Sequence, residues 1–422
     1  MTVRKEGHMH FPDSVRAVIA RLESRGFEAY AVGGCVRDSL LGLVPNDWDL
    51  TTSARPEEVV ACFSTPPFAA VTGNGLKHGT VTVICFGEKK ETFEVTTYRC
   101  ESGYSDSRRP DSVYFTSSLA QDLARRDFTV NAMAARPLSD GEELVDLYGG
   151  RDDLERRILR SVREASERFS EDALRIMRGL RFAAVFGLEI EEKTAAAMHA
   201  LRENLRKIAP ERISVEFLKL LEGPFAGNVI DAYGDIFGML LHTVPPSDCC
   251  RRFADLPEST ARLALLFGES TPETAASVLR DLKCGGEVIR SVTELLEGRE
   301  CSLSPDHRNV CLLLRRYRGD VRAFCRYRRA LGDEKYAVDA VWKAAKVILE
   351  TGACYTEKML ALNGKDLLSL GVKPGTEVGR CIAWLFDGVI SGRLENESAS
   401  LAEAVRSHGE FIVCKPEKWQ KT

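Results

Sequence analysis

The sequence contains no CxxC pair, and its cysteines have no regular spacing. There are 13 of them, an odd number, and the only close pair, Cys249 and Cys250, is adjacent in the chain. Adjacent cysteines rarely form a disulfide, and scattered cysteines are typical of proteins that keep their thiols reduced. We therefore predict free and mostly buried thiols in a reducing cytosol.

The chain also lacks long apolar stretches and a strong excess of charge. No run approaches the roughly 18 apolar residues that span a membrane, and residues 1–6 lead into polar sequence without the apolar region of a signal peptide. The sequence therefore predicts a cytoplasmic protein outside the membrane. The net charge of −4 argues against a uniformly basic nucleic-acid binder but allows local basic faces.

What is present indicates several domains. A chain of 422 residues with 44% hydrophobic and 28% charged residues has a globular composition and is too long for one ordinary core. An amphipathic helix pattern over 12–25 opens a mixed α/β part, and helical periodicity dominates after about residue 150. Strand patterns lie at 29–32, 47–50, 80–84 and 92–96. The polar stretch 101–112 predicts a mobile loop. We place domain boundaries near residues 148, 210 and 330.

Three carboxylates are candidates for metal-assisted chemistry. Asp47 and Asp49 lie two positions apart in a strand-like pattern, so their side chains point to the same side. Close carboxylates repel unless a cation lies between them, and such oxygen ligands suit two Mg²⁺ ions that bridge to phosphates. Glu94, in another predicted strand, is the best third candidate. Surface acids often share these spacings, but three together suit attack by a 3′-hydroxyl on an α-phosphate.

A glycine pair precedes these aspartates. Gly33 and Gly34 follow a short apolar run and open a predicted helix, where backbone can approach a bulky anion and helix N–H groups are free. Arg37 adds a cation to the same segment. The loop is therefore predicted to hold a triphosphate, although an ordinary tight turn has the same sequence.

Two later clusters combine arginine with acidic or polar side chains. In the first, Arg126, Asp127 and Asn131 can contact phosphate and ribose hydroxyls. In the second, the spacing of Glu171, Arg175, Arg178 and Phe182 places these four residues on one face of a predicted helix. A charged helix start and a ladder of salt bridges, respectively, are the alternative interpretations.

The second cluster also predicts base selection. Asp172 and Arg175 lie about one turn apart, and aspartate accepts hydrogen bonds whereas arginine only donates them. Cytosine and adenine present an amino donor beside a ring-nitrogen acceptor, and guanine and uracil present the reverse. An aspartate–arginine pair is therefore expected to accept C and A and to reject G and U.

These motifs resemble, in the same order, those of class II tRNA nucleotidyltransferases and bacterial poly(A) polymerases. The resemblance is strong over about 28–185 and weaker to about 405, where the stretches 211–213 and 364–368 are similar. It implies an α+β protein with a polymerase-β-like palm followed by an all-helical neck, body and tail. The corresponding divisions are a head at 1–148, a base-recognising neck at 149–210, a body at 211–330 and a tRNA-binding tail at 331–422.

The resemblance also implies roles for the candidate residues. Asp47 and Asp49 bind Mg²⁺, Asp172 and Arg175 read the base of CTP or ATP, and Asn131 or Arg126 helps to hold ribose or triphosphate. Which of Arg126, Asn131 and Arg178 contacts each group stays open. Asp106, Arg108 and Arg109 correspond to a flexible loop that the family needs to change from C to A addition.

The remaining evidence concerns the acceptor. The segment 308–329 contains eight arginines and one acid, with Tyr317, Phe324 and Tyr327 between them. This pattern predicts contact with RNA backbone and stacking on bases, although a solvated helix face is an alternative. The acceptor and T-arm of tRNA suit a long helical surface read by shape.

The leading interpretation is an enzyme that adds CCA to tRNA, and there are four alternatives. An A-adding member of a split pair is second and a poly(A) polymerase third. A catalytically inactive RNA-binding protein is disfavoured by the intact Asp47 and Asp49, and a small-molecule nucleotidyltransferase by the long helical half. The short, mixed C-terminal end favours tRNA over generic RNA. No His-Asp pair of a phosphohydrolase domain occurs, and the oligomeric state is not indicated.

Overall fold

The computed structural model describes residues 9–73, 75–87, 89–102 and 112–408. The chain divides into two compact units, one up to Leu240 and one from Leu241. The cysteines within the described ranges are all free thiols and most of them are buried, as predicted. In the same part of the chain no helix combines the length and apolar character that membrane crossing requires.

The first unit is built on a mixed sheet. Its strands are β1 (Ala29–Val32), β2 (Asp49–Thr52), β3 (Phe68–Val71), β4 (Thr80–Phe86), β5 (Lys90–Thr97), β6 (Arg99–Ser102), β7 (Ser112–Phe115), β8 (Met133–Leu138), β9 (Gly141–Asp146), β10 (Ile158–Leu159) and β11 (Glu189–Ile190). Seven of them form one sheet in the order β3-β4-β5-β2-β1-β8-β9. In this sheet β2 and β5 run parallel and the other neighbours run antiparallel. The predicted strands at 29–32, 80–84 and 92–96 are thus confirmed.

Helices pack against this sheet and follow it in the chain. In the first unit they are α1 (Asp13–Glu23), α2 (Gly34–Leu40), α3 (Pro56–Cys62), α4 (Leu119–Ala124), α5 (Gly150–Glu155), α6 (Ala165–Glu171), α7 (Leu174–Phe186), α8 (Glu192–Leu201), α9 (Pro210–Glu222) and α10 (Ala226–Ala232), with α11 (Gly234–Leu241) at the boundary. The predicted apolar face of α1 is confirmed, because Val15, Val18, Ile19 and Leu22 are all buried.

The second unit is helical. It comprises α12 (Cys249–Phe253), α13 (Ser259–Leu266), α14 (Pro272–Asp281), α15 (Gly286–Glu297), α16 (His307–Arg316), α17 (Arg322–Leu331), α18 (Lys335–Thr351), α19 (Gly364–Ser369), α20 (Thr376–Ile390) and α21 (Ser398–Ser407). The predicted α+β class, a sheet-bearing first part followed by helices, is therefore confirmed. The finer division into head, neck, body and tail stays a prediction.

Two local predictions need correction. The loop expected at 101–112 is wrong at both ends, because its first two residues belong to β6 and its last opens β7, and these strands pair as an antiparallel hairpin. These strands form a two-stranded sheet of their own, and the pairing of two separated segments leaves no signal in local polarity. The loop residues Asp106, Arg108 and Arg109 lie outside the described residues.

The helix predicted across 171–182 is interrupted at its start. Helix α6 ends at Glu171, Asp172 has an extended backbone with φ −138° and ψ 100°, and α7 begins at Leu174. The Asp172 carboxylate accepts a hydrogen bond of 3.0 Å from the Leu174 N–H. Aspartate favours such a position because its side chain satisfies free N–H groups of the first turn. The expectation of one shared helical face is therefore wrong for Glu171 and holds for Arg175, Arg178 and Phe182 in α7.

Candidate active site

The three predicted carboxylates meet at the start of β2. The strand predicted at 47–50 begins later than expected, because β2 starts at Asp49 and Asp47 lies two residues before it. Both aspartates are exposed, and Trp48 between them is buried. Asp49 is the register partner of Glu94 across the parallel β2–β5 pair, and neighbours in register lie on the same face of a sheet. The fold therefore brings together carboxylates that are 45 positions apart in sequence.

The electrostatics of this group indicate a place for a cation. Although part of Asp49 is exposed, the desolvation of its carboxylate, the charge of Glu94 and the charge of Asp47 all raise its pKa, and the nearby Arg126 lowers it. Within the described ranges no group of three or more Asp, Glu, His or Cys side chains encloses a metal by itself. Mg²⁺ commonly uses one or two carboxylates and completes its shell with water and substrate phosphate. The donor set therefore fits Mg²⁺ held together with a nucleotide.

The glycine pair forms the turn between β1 and α2. Gly33 has a φ of +80°, a conformation that side chains disfavour. A Cβ atom at Gly33 would lie 3.1 Å from Nη1 of Arg126. The missing side chain thus lets the Arg126 guanidinium approach the turn, close to the end of β1 and to Asp49. Gly34 is the first residue of α2.

Arg37 has a different setting from the one expected of a phosphate ligand. It is only 7% exposed, donates to Asp38 at 2.7 Å and donates to the Asn131 side chain at 2.7 Å. Its guanidinium carbon also lies 4.2 Å from the centre of the Phe186 ring. These contacts connect α2 to the end of α7. Direct contact of Arg37 with a nucleotide stays a prediction.

Asp127 is the centre of a buried polar network. Its carboxylate accepts hydrogen bonds from the Phe128 N–H at 2.9 Å, from the Asn131 amide at 3.3 Å and from the Arg178 Nε at 2.8 Å. Arg178 also lies 3.9 Å from Glu216, which pairs with Arg181 at 2.5 Å. The network holds Asn131 and Arg178 on the two sides of one carboxylate.

We expect Asp127 to contribute stability that is lost only in acid. Burial by itself would raise its pKa, but the Arg178 charge and hydrogen bonds hold the pKa well below the ordinary 3.8. A depressed carboxyl pKa stabilises the fold above the unfolded-state value, and that stability disappears as the pH falls through the folded-state value. Asp127→Asn should cost on the order of 2 kcal/mol at neutral pH.

Hydrogen exchange of peptides from residues 120–190, followed by mass spectrometry, would measure this cost in the full chain. The difference between wild type and Asp127→Asn should be constant above about pH 5 and should shrink below the ordinary carboxyl pKa. Asp152→Asn, at an exposed position of α5, is the matched control and should show no difference. A cost that does not change with pH would contradict the ion-pair explanation.

Five of the predicted residues line one cleft of ≈ 660 Å³. They are Arg126, Asp127, Asp172, Arg175 and Arg178, and Arg125, Leu174, Glu211, Arg212, Val215 and Glu216 complete the lining. Arg126 lines this cleft, and its charge also lowers the pKa of Asp49. The base-reading and metal-binding groups predicted separately are therefore connected through one arginine.

The two residues predicted to read the base, Asp172 and Arg175, differ in how many hydrogen bonds they make and in how exposed they are. One oxygen of Asp172 caps α7, and the other lies 3.5 Å from Arg212, with 17% of the side chain exposed. Arg175 is more enclosed, because it donates to the Arg168 carbonyl at 3.0 Å, to Glu171 at 2.9 Å and to the Arg125 carbonyl at 3.2 Å. Three of the five guanidinium N–H donors thereby fix Arg175 in place.

Sequence reasoning missed several residues of this site. Asp122 was not considered, although it lies three and four positions before Arg125 and Arg126, a spacing that predicts ion pairs along a helix. Arg168 holds the carbonyls of Arg125 and Arg126, and no sequence signal indicates such a contact. The α9 residues of the cleft were noted only through the resemblance around residue 212.

The arginine-rich segment of the second unit differs from its prediction. Tyr327 and Phe324 have no exposed surface, and Tyr317 stacks on Phe324 at 5.0 Å, so stacking of the first two on RNA bases is wrong. The aromatic spacing reflects core packing on α16 and α17. In order, the eight arginines pair with Asp387, Glu357, Glu297, Glu294, Asp320, Glu258, Asp333 and Asp255. Backbone contact by these arginines stays a prediction.

A sheet with paired carboxylates at the start of a central strand, joined by an arginine to a cleft of acidic and basic side chains, defines a nucleotidyltransferase. Comparison with known proteins agrees along the chain. Residues 29–160 match the family described as "Poly A polymerase head domain". Residues 187–232 match "Probable RNA and SrmB-binding site of polymerase A", and residues 256–405 match "tRNA nucleotidyltransferase domain 2 putative".

Individual relatives extend the similarity over nearly the full length. The CCA-adding enzymes of Limosilactobacillus fermentum and Enterococcus faecalis are each 37% identical over 413 residues, which is 93% of this chain and 96% of theirs. The Bacillus stearothermophilus CCA-adding enzyme, solved in complex with CTP, is 31% identical with a TM-score of 0.74 and covers 94% of this chain and 98% of its own. The chain belongs to the family of CCA-adding enzymes, which are metal-dependent tRNA nucleotidyltransferases.

Proposed function

We propose that this protein adds C, C and A, taken from CTP and ATP, to the 3′ end of tRNA without a template. The observation that carries the proposal is the connection, through Arg126, between the Asp49 carboxylate group and the cleft that holds Asp172 and Arg175. A reaction site and a base-reading site thereby adjoin one another within one chain. Similarity to CCA-adding relatives over more than nine-tenths of the sequence supports the same activity.

We infer that Asp47 and Asp49 hold two Mg²⁺ ions, with Glu94 beside them as the third acid. Such ions, when bound with the nucleotide, activate the 3′-hydroxyl and neutralise charge on the leaving pyrophosphate. The chain itself supplies the carboxylate ligands and the alignment of the nucleotide. Asp49 and Glu94, fixed in register on adjacent strands, keep two of the acids at constant separation. Preorganised ligands of this kind need no rearrangement during the reaction.

Base selection is assigned to Asp172 and Arg175. The Asp172 oxygen that lies 3.5 Å from Arg212 accepts the amino hydrogen of cytosine or adenine, and Arg175 donates to the neighbouring ring nitrogen. Guanine and uracil would place a carbonyl oxygen against the carboxylate and an N–H against the guanidinium. Repulsion and unpaired polar groups then reject these two bases.

The triphosphate and ribose are assigned to the arginines and amide of the same region. Arg126 lies against the glycine turn at Gly33, and it is close enough to Asp49 for its charge to lower the pKa of that carboxylate. This position favours contact with the triphosphate. Asn131 and Arg178, both held by Asp127, are the candidates for ribose. The contacts of Arg37 favour a supporting role for this residue, in which it fixes α2 and Asn131.

The acceptor is proposed to be recognised through the shape of its acceptor stem and T-arm. A helical surface suits this recognition because double-stranded RNA is read mainly through backbone and shape. Salt-titrated binding should then weaken steeply with ionic strength. The change from C to A addition is assigned to the loop of Asp106, Arg108 and Arg109. A cytoplasmic location, supported by the free thiols, completes the proposal.

Primer extension tests this function. Three tRNA transcripts, ending at the discriminator base, at C and at CC, are incubated with CTP and ATP together and separately. Extension of all three to CCA is expected, with loss of activity in Asp47→Ala. Addition of one A only to the CC transcript would instead identify an A-adding enzyme of a split pair. Long A tails on any RNA would identify a poly(A) polymerase, and no extension would indicate an RNA-binding protein.

A further inference from the structure

Asp122 in α4 is a fully buried carboxylate beside the cleft. Its exposed fraction is 0%, and a buried charge is unfavourable unless hydrogen bonds and opposite charges compensate it. Burial would raise its pKa, but the charges of Arg126 and Arg125 outweigh burial and lower the pKa. The carboxylate is therefore ionised in the folded protein and provides a fixed negative charge.

The contacts of this carboxylate reach three parts of the site. One oxygen accepts from Arg125 at 2.8 Å and from the Arg99 backbone N–H at 3.4 Å. The other accepts from Arg126 at 3.1 Å and from the Thr51 hydroxyl at 3.4 Å. Thr51 lies two residues after Asp49 on β2, and Arg99 begins the β6–β7 hairpin.

Arg126 has one end fixed by this carboxylate and the other end directed to the reaction site. Its Nη2 donates to Asp122, whereas its Nη1 lies against the turn at Gly33. Its charge also acts on Asp49, and its side chain keeps 20% exposure. The side chain would otherwise sample many rotamers, and fixing it before binding lowers the entropic cost of holding a ligand.

We propose that Asp122 is a positioning residue that holds the Arg126 guanidinium toward the triphosphate of the incoming nucleotide. Asp122 contacts neither nucleotide nor RNA in this arrangement, and it acts through Arg126. The inference rests on the assignment of Arg126 to the triphosphate made above. Because the same carboxylate binds β2 and the hairpin, it also keeps Arg126 in register with Asp49.

The test compares binding of CTP and CMP, since only CTP carries the phosphates that Arg126 is proposed to contact. Asp122→Asn keeps the shape of the side chain but removes its charge. Titration of the full-length variant with each nucleotide, in Mg²⁺ and without tRNA, should show CTP binding weakened about tenfold and CMP binding unchanged. Steady-state extension should show a higher KM for CTP with a smaller change in kcat.

Asp153→Asn is the matched control. Asp153 is also a buried aspartate, 6% exposed, and it accepts from the Thr129 hydroxyl at 2.8 Å and from Arg160 at 3.1 Å. It does not line the cleft. Asp153→Asn should therefore show the general cost of neutralising a buried aspartate. The affinity for CTP and the affinity for CMP should each be the same before and after the change.

Arg126→Ala separates this inference from the function on which it rests. Selective loss of CTP binding in Arg126→Ala, with no further loss in the Asp122→Asn/Arg126→Ala double variant, supports both the triphosphate assignment of Arg126 and the positioning role of Asp122. The effects of two substitutions are not additive when one residue acts through the other. Loss in Arg126→Ala but none in Asp122→Asn overturns only the role of Asp122. Normal CTP binding in Arg126→Ala overturns the triphosphate assignment and this inference together.

Folding is checked on the same samples. Asp122→Glu keeps the charge and serves as a second variant, which should retain part of the preference for CTP if Asp122→Asn does not fold. Equal weakening of CTP and CMP in a folded variant would overturn the proposal. Loss of cooperative unfolding in both variants would likewise overturn it in favour of a purely structural role.

Discussion

Asp49→Asn is expected to reduce nucleotide addition at least about 10³-fold, without lowering the thermal stability of the protein. The reduction follows from the proposed role of Asp49 as a carboxylate ligand of the metal. Stability should be kept or slightly increased in the absence of Mg²⁺, because burial and the charges of Glu94 and Asp47 all disfavour the ionised Asp49. The repulsion among these carboxylates, which destabilises the protein without metal, is relieved when a cation binds between them.

Single-turnover extension of a tRNA ending in CC, together with thermal unfolding without metal, would measure both effects. Asp47→Asn should behave similarly in extension. Glu91→Gln, an exposed acid on the same strand as Glu94, is the control and should keep full activity. Extension by Asp49→Asn within about tenfold of wild type would exclude this carboxylate as a metal ligand.

Asp172→Asn is expected to relax base selection by about 10²-fold, measured as the ratio of kcat/KM for CTP over UTP. The amide replaces one accepting oxygen with a donor, so that the carbonyl of uracil or guanine gains a partner. Asparagine also caps helices well, so the start of α7 at Leu174 should survive. Asp172→Ala loses the cap as well, and it should combine relaxed selection with a stability loss of about 1 kcal/mol.

Incorporation of each of the four nucleotides at the discriminator end, where C is the nucleotide added, would show this change. Glu167→Ala, an exposed acid on α6 outside the cleft, should leave the preference unaltered. Arg175→Ala should also relax selection, but with a larger loss of activity, because Arg175 fixes Glu171 and the Arg125 carbonyl. Unchanged discrimination in Asp172→Asn would refute base reading by this residue.

The parts of the fold predicted from sequence are those with local periodicity. The strands at 29–32, 80–84 and 92–96 and the apolar face of α1 were predicted because alternation and helical spacing are properties of consecutive residues. The helix break at Asp172 was missed, because a capping aspartate and a helical one are the same letter in the sequence. The hairpin at β6 and β7 was missed for a similar reason, since its pairing is between separated segments.

In the candidate site, too, local sequence features were predicted and contacts between separated segments were not. Asp47, Asp49 and Glu94 were chosen by residue type and spacing, and the chemistry that needs carboxylates follows from the residue type. That Asp49 and Glu94 adjoin depends on the parallel pairing of β2 with β5, which no spacing reveals. The arginines of 308–329 show the opposite case. Their clustering is local, but their acidic partners lie as far away as Asp255 and Asp387.

The sequence by itself determined the class of chemistry and predicted the acids and the base-reading pair, because these depend on which functional groups the chain contains and on short spacings. Only the tertiary structure decided which groups cooperate. It buried Arg37 among Asp38, Asn131 and Phe186 and placed Arg126 between Asp122 and the reaction site. It also paired Arg308 of α16 and Arg329 of α17 with the distant acids Asp387 and Asp255. The physical reason is that burial and charge compensation arise from contacts between segments far apart in the chain, and these contacts decide whether a charged side chain supports the fold or faces a substrate.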